Sequence, residues 1–356
     1  MRYKDLVEYE DLGQEKEQII STISGLSADN QDEANLLDRI WKILNSGTIS
    51  TNIDAAFDIP LQDENMGDKE KLLIRQDMTK IFSTIESDYK TMDTLLKRLE
   101  QGGAVDVGAL SQPLNTFSAV FGDEVGSAAF RKLAAYGVGK KQKGPGEYGL
   151  ACLSNKVRLA AGEGDLEIDG IGKVELKAAM SSSGGRIGYG GGSQKAKRAV
   201  LEKYKEKLPT VIGAIGAKGG SLGLGPFMQA LNTDLPTSEP NNQKIRKSLM
   251  LDLLQMDMEN YAGPIADKVA TTEDASQVEL TYLAQNFEWY KNRDNFDALL
   301  LMSIPNQKTA MLRNANDLAA FRQGGHAGGL AISIIPTQAG AGREQWAQLT
   351  LNKAMI

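Results

Sequence analysis

Residues 164–177 hold two short runs of strictly alternating polar and apolar residues, Gly164-Asp165-Leu166-Glu167-Ile168-Asp169 and Lys173-Val174-Glu175-Leu176-Lys177, separated by Gly170-Ile171-Gly172. A period of two places successive side chains on opposite faces of a strand, and a helix cannot sort such a pattern onto one side. The runs therefore predict a β-hairpin with Gly170-Ile171-Gly172 as its three-residue turn. With Asp169 opposite Lys173 in that register, Glu167 falls opposite Glu175 and Asp165 opposite Lys177. Leu166, Ile168, Val174 and Leu176 share the other face and require a core. The polar face gathers three carboxylates and one ammonium. Carboxylates directly opposite each other repel, so a cation is expected between them, and a hydrated divalent ion is the natural one.

Elimination narrows the chemistry further. Cys152 is the single cysteine and His326 the single histidine. An internal disulfide, a Cys-rich or His-based zinc site, a Ser-His-Asp triad and a histidine general base are all excluded within this chain. His326 falls in a Gly-rich turn and reads as a surface residue. Chemistry here must run on carboxylates, lysines, arginines and metal-bound water. No run of eighteen apolar residues occurs, so no membrane partner is expected. The opening residues Met1–Glu10 lack an apolar signal core, so a cytoplasmic location is expected.

The net charge of −6 hides a strong asymmetry. Residues 1–100 carry 12 Lys and Arg against 21 Asp and Glu, whereas residues 131–207 carry 16 against 8. The basic band surrounds the hairpin acids, as a phosphodiester substrate requires: attraction to the backbone, with a local cation site inside it. The expected partner is DNA.

Apolar spacings of three and four predict helices at 14–24, 32–45, 70–86 and 89–101, so residues 1–125 read as an acidic helical region suited to self-association or assembly. Residues 126–356 read as an α/β domain: a helix at 124–136, a helix from Glu147 to Lys156, a strand at 157–161 and then the hairpin. A helical insertion is expected at about 209–292, with helices at 244–258 and 276–289 and Met250, Met256 and Met258 as core filler. The nearly all-apolar run Phe296–Ile304 predicts a central strand buried on both faces. Further strands are expected at 330–335 and 345–351, with a helix at 314–323 between. The Gly-rich runs at 137–146 and 213–220 miss the Walker spacing and read as loops approaching DNA. Ser193 caps a predicted helix at 194–208 that carries Lys195, Lys197 and Arg198, a phosphate-binding face. Arg186 and Tyr189, in the preceding Gly-rich segment, are expected to reach DNA as well.

The order helical acid, hairpin Asp, then Glu175-Leu176-Lys177 resembles the PD-(D/E)xK (restriction-endonuclease-like) nuclease superfamily over about residues 137–207, and looks most like the versions found in tailed-phage proteins. The resemblance implies a mixed sheet flanked by helices, with Ala298–Ile304 as a further strand. It implies that Glu147, Asp165, Glu175 and Lys177 are the catalytic set. Asp165, Glu175 and Glu147 would be the ligands of Mg²⁺, with Mn²⁺ an alternative, and the reaction is metal-dependent hydrolysis of DNA in the host cytoplasm. Gly164 stands where the family's proline usually precedes the Asp. The competing expectation is a virion structural or assembly protein that keeps the nuclease-like fold as a scaffold or for DNA contact, its N-terminal helices binding other virion proteins or further copies of itself.

Overall fold

The computed structural model describes residues 89–138, 145–160, 162–179, 186–187, 194–217, 220–324, 330–335, 338–339, 343–344 and 349–351, with 35, 39–44, 75, 77–79, 81–82 and 84–85. The expected helix at 14–24, the basic loop at 139–144, Tyr189 and His326 lie outside these. Among the described residues no helix is long and apolar enough to cross a membrane. The chain packs as two compact units, residues 1–107 with 117–161, and residues 108–116 with 162–356.

The described residues of the first unit are mostly helical. Helices Tyr89–Glu100, Phe117–Phe121, Glu124–Val138 and Pro145–Leu153 lead to a short strand, Val157–Leu159. Phe117, Phe121 and Phe130 form its aromatic centre, with ring centroids 4.5 to 5.4 Å apart. Gly149 lets the last helix approach, because a Cβ there would stand 2.8 Å from the Phe130 ring. The Arg98 guanidinium ties the region together by donating to the Phe121 carbonyl at 2.6 Å and to Asp123 at 3.0 Å.

The second unit holds the hairpin. Leu166–Ile168 pairs antiparallel with Gly172–Ala179, which pairs parallel with Ala298–Ser303, which in turn pairs antiparallel with Lys308–Leu312 and then Asn115–Thr116. The expected Phe296–Ile304 strand therefore lies directly beside the hairpin, and the parallel pairing demands the long crossover that residues 180–297 supply. All six residues of Ala298–Ser303 are buried, as befits a strand covered on both faces. Leu299, Leu301, Ala310 and Leu312 face the core shared with Tyr282, Phe287 and Tyr290 of the helical layer and with Phe296 just beyond it. On the hairpin's opposite face Leu166, Ile168, Val174 and Leu176 are buried at 0 to 5% exposure, as the alternation requires.

The register differs from the expected one by two residues. Glu167 pairs with Lys173 and Ile168 with Gly172. The turn is Asp169-Gly170-Ile171, closed by the Ile171 amide on the Ile168 carbonyl at 3.0 Å. Gly172 enters the ladder because Asp297 grips its end: Asp297 accepts from the Lys173 amide at 2.8 Å and donates its own amide to the Lys173 carbonyl at 2.8 Å. A Cβ on Gly172 would lie 2.2 Å from the Asp297 carboxylate, and its φ of +103° is left-handed. A shift of two keeps every side chain on its face, so the buried and polar sets survive while the pairs change.

Five helices occupy most of the described part of 209–294: Pro209–Ala217, Leu224–Asp234, Pro240–Met258, Ala262–Thr271 and Ala275–Asp294. The run Gly213–Gly216, expected as a loop, lies inside the first of these. Its apolar residues Val211 and Ile215 are buried, and that packing offsets the roughly 1 kcal/mol that each helical glycine costs. Met250 and Met258 are fully buried, as core filler should be. Arg246, fully buried, donates to the carbonyls of Val269, Leu235 and Thr272 and to the Asn232 side chain at 2.7 to 2.9 Å. These acceptors lie at the C-terminal ends of two helices, where the backbone dipoles favour a cation. A second antiparallel sheet follows the order Arg186–Ile187, Leu349–Leu351, Leu330–Ile335, Leu222–Gly223.

Candidate active site

Glu175 is the centre of the site. The second hairpin strand places it on the face covered by the Ala275–Asp294 helix, and it is 7% exposed. Its Oε1 accepts two hydrogen bonds at 2.5 Å, one from Lys177 Nζ and one from Tyr290 Oη. Lys177, two residues on, projects from the same face and remains partly open to solvent, with 26% of its side chain exposed. No described residue bonds the other oxygen, Oε2.

Asp165 stands at the end of the first hairpin strand. Its amide donates to the Val174 carbonyl at 3.0 Å, and its carboxylate accepts from the Leu176 amide at 2.8 Å. The carboxylate thus takes the place of a backbone carbonyl in the ladder and is fixed beside the Glu175-Leu176-Lys177 triplet. That position replaces the expected seat opposite Lys177. Glu167 is exposed and faces Lys173, so the expected Glu167–Glu175 repulsion does not arise.

Tyr290 sits in the last turn of its helix and is 3% exposed. Its ring packs edge-on against Phe296 at 5.2 Å, with Arg293 at 5.1 Å and the Lys177 ammonium at 5.8 Å from the centroid. Burial raises the hydroxyl's pKa far above that of an ordinary tyrosine, and the charges of Glu175, Asp294 and Asp165 push the same way. The hydroxyl donates to Glu175 from this buried position. Both Asp165 and Glu175 act on it, so both carboxylates lie within electrostatic reach of one atom.

Glu147 lies in the first turn of its helix in the first unit, 4% exposed. There its charge adds to burial in raising the Tyr148 phenol to about 12. The structure brings Asp165, Glu175 and Lys177 together in the second unit. Lys195 and Arg198 are exposed on the Gln194–Tyr204 helix. Lys197 is not on that surface: it is fully buried and donates to the Ile334 carbonyl at 3.1 Å. The correction follows from helix geometry, since Lys197 shares the buried face with Val200 and Leu201 while Lys195 and Arg198 point away. Arg186 is seen as a backbone partner of Thr350 in the second sheet.

Sequence reasoning missed Tyr290. The signal was faint: tyrosines at 282 and 290 on one helical face, the second about one turn before Asn295, whose left-handed φ of 49° ends the helix.

The donor set suits a hard divalent ion in kind: two carboxylates from adjacent strands, one presenting an oxygen that no described residue uses. Among the described residues no group of three or more His, Cys, Asp or Glu side chains is placed to hold a metal. Water would supply the remaining ligands, as it does where Mg²⁺ is held by one or two carboxylates. No family model matches the chain, and no curated protein or solved structure matches it.

Proposed function

We propose that the second unit is a metal-dependent phosphodiester hydrolase acting on DNA, with Asp165, Glu175 and Lys177 as its working residues. One observation carries the reading. A buried glutamate and a partly exposed lysine two residues apart share one strand face, and a hairpin aspartate is hydrogen-bonded to the residue between them. The Ala298–Ser303 strand beside the hairpin supports the reading, since the resemblance implies a further strand completing the sheet.

Asp165 and Glu175 would hold Mg²⁺ or Mn²⁺, which when bound lowers the pKa of a coordinated water and offsets charge on the scissile phosphate. Lys177 supplies a mobile point charge that can turn from Glu175 to a phosphate oxygen, where negative charge builds as the bond breaks. Burial of Glu175 beneath the helical layer lowers the local dielectric and strengthens that attraction. Glu147 enters this set through the resemblance alone. Lys195 and Arg198 would meet the DNA backbone, contacts that add affinity without reading sequence.

Incubating the full chain with linear and circular plasmid in Mg²⁺, Mn²⁺ or EDTA tests the proposal. Cleavage in either metal, abolished by EDTA, supports it. Intact DNA under every condition refutes it.

One observation favours a second reading. The Lys177 ammonium already neutralises Glu175, as in a sheet kept for structure, and under that reading the chain is a virion assembly protein on a nuclease-like scaffold.

A further inference from the structure

We propose that Tyr290 is the positioning residue of this site, the standing donor that fixes Glu175 so that its Oε2 is offered to the metal. The inference rests on the reading of Glu175 as a metal ligand. Two donors converge on Oε1, and they differ in kind. Lys177 Nζ rides on a flexible stem with 26% of its side chain exposed, so it can leave for a phosphate. Tyr290 Oη cannot leave. Its ring is 3% exposed, wedged edge-on against Phe296 and beside the Arg293 guanidinium, which Asp294 holds through two bonds at 2.5 Å.

A buried carboxylate oxygen stripped of all its donors is costly. If Lys177 were the sole donor, its movement to substrate would strand Oε1 and free the side chain to turn. With the tyrosine in place, Oε1 keeps a neutral donor through the whole cycle and the carboxylate keeps its orientation. Partners of metal-ligating groups typically contribute 10–100-fold to metal affinity or activity.

The test is Mn²⁺ binding to the full chain, followed by electron paramagnetic resonance, for wild type, Tyr290→Phe, Lys177→Met and Glu175→Gln. Circular dichroism and thermal midpoint are recorded without metal for each. Tyr290→Phe keeps the ring and its contact with Phe296, so its metal-free circular dichroism should match wild type, with a thermal midpoint lowered by about as much as in Lys177→Met for the lost hydrogen bond, while Mn²⁺ affinity falls about 10–100-fold. Lys177→Met should stay within a few-fold of wild type, because Tyr290 still holds Oε1. Glu175→Gln should abolish binding. Unchanged affinity in Tyr290→Phe beside lost binding in Glu175→Gln overturns the role of Tyr290 and leaves the ligand assignment standing. Equal losses of affinity in Tyr290→Phe and Lys177→Met also overturn it, since the two donors would then be interchangeable. Wild-type affinity in Glu175→Gln overturns the ligand assignment and this inference together.

Discussion

Lys177→Met should destabilise the metal-free protein, and by an amount the geometry sets. Methionine retains most of the apolar stem but removes the ammonium, leaving Glu175 with Tyr290 as its one donor among the described residues. A charge-assisted hydrogen bond contributes about 1.5–3 kcal/mol. Lys177 is 26% exposed and Glu175 10% by side chain, so water replaces part of the loss and the lower half of that range applies, about 2 kcal/mol. For a unit of about 200 residues, each kcal/mol moves the thermal midpoint by roughly 2–4 °C, so a fall of about 4–8 °C is expected. The assay is thermal unfolding in EDTA of wild type, Lys177→Met, Glu175→Gln and the double variant. In the Glu175→Gln background the lysine has already lost the carboxylate it pairs with, so Lys177→Met should then cost little. A midpoint within 1 °C of wild type, or the same decrement in both backgrounds, would refute the claim that this pair is coupled.

Gly172→Ala should lose about 2–3 kcal/mol, because it combines a left-handed backbone with a Cβ 2.2 Å from the Asp297 carboxylate; an unchanged urea midpoint would contradict the observed register. Arg246→Leu leaves three buried carbonyls and the Asn232 side chain without their donor, so a loss above about 3 kcal/mol is expected in urea titration, and a small loss would mean that the clamp is not shared in this way. Burial raises the Cys152 thiol to about 12, so thiolate is scarce near neutrality and a disulfide reagent should label it only as the protein unfolds; prompt stoichiometric labelling of the native protein would show the site to be open.

The hairpin was legible because period-two alternation depends on nothing beyond its own residues. Its register was not, because the choice of glycine for the turn is made by Asp297, 124 residues away in sequence. The buried strand Ala298–Ser303 declared itself by its unbroken apolar run, whereas Lys308–Leu312 did not: a short Lys-Thr-Ala-Met-Leu segment carries no alternation, and its place comes from pairing with its neighbour. Glycines at 213 and 216 argued for a loop, and packing of Val211 and Ile215 overrode them. Alternation along the hairpin put Asp165, Glu167, Glu175 and Lys177 on one polar face, and the resemblance singled out Asp165, Glu175 and Lys177 among them. Tyr290 was not legible, since an aromatic residue on an apolar helix face looks like core until its hydroxyl is seen to meet a carboxylate 115 residues earlier. Lys197 failed for the converse reason: lysine is almost always exposed, and here its ammonium finds a buried carbonyl.

Single-turnover cleavage of an end-labelled DNA duplex in Mg²⁺ puts the central claim to its most direct trial, with wild type compared against Lys177→Ala and against the surface reversal Lys195→Glu with Arg198→Glu. The account predicts Mg²⁺-dependent cleavage by wild type and a loss of at least about 100-fold in the cleavage step for Lys177→Ala, the scale set by removing one group that stabilises transition-state charge. The surface reversal should weaken DNA binding, most visibly as salt rises, while leaving the cleavage step itself unchanged at saturating protein. Cleavage by Lys177→Ala at the wild-type rate, or no Mg²⁺-dependent cleavage by the wild type, would contradict it.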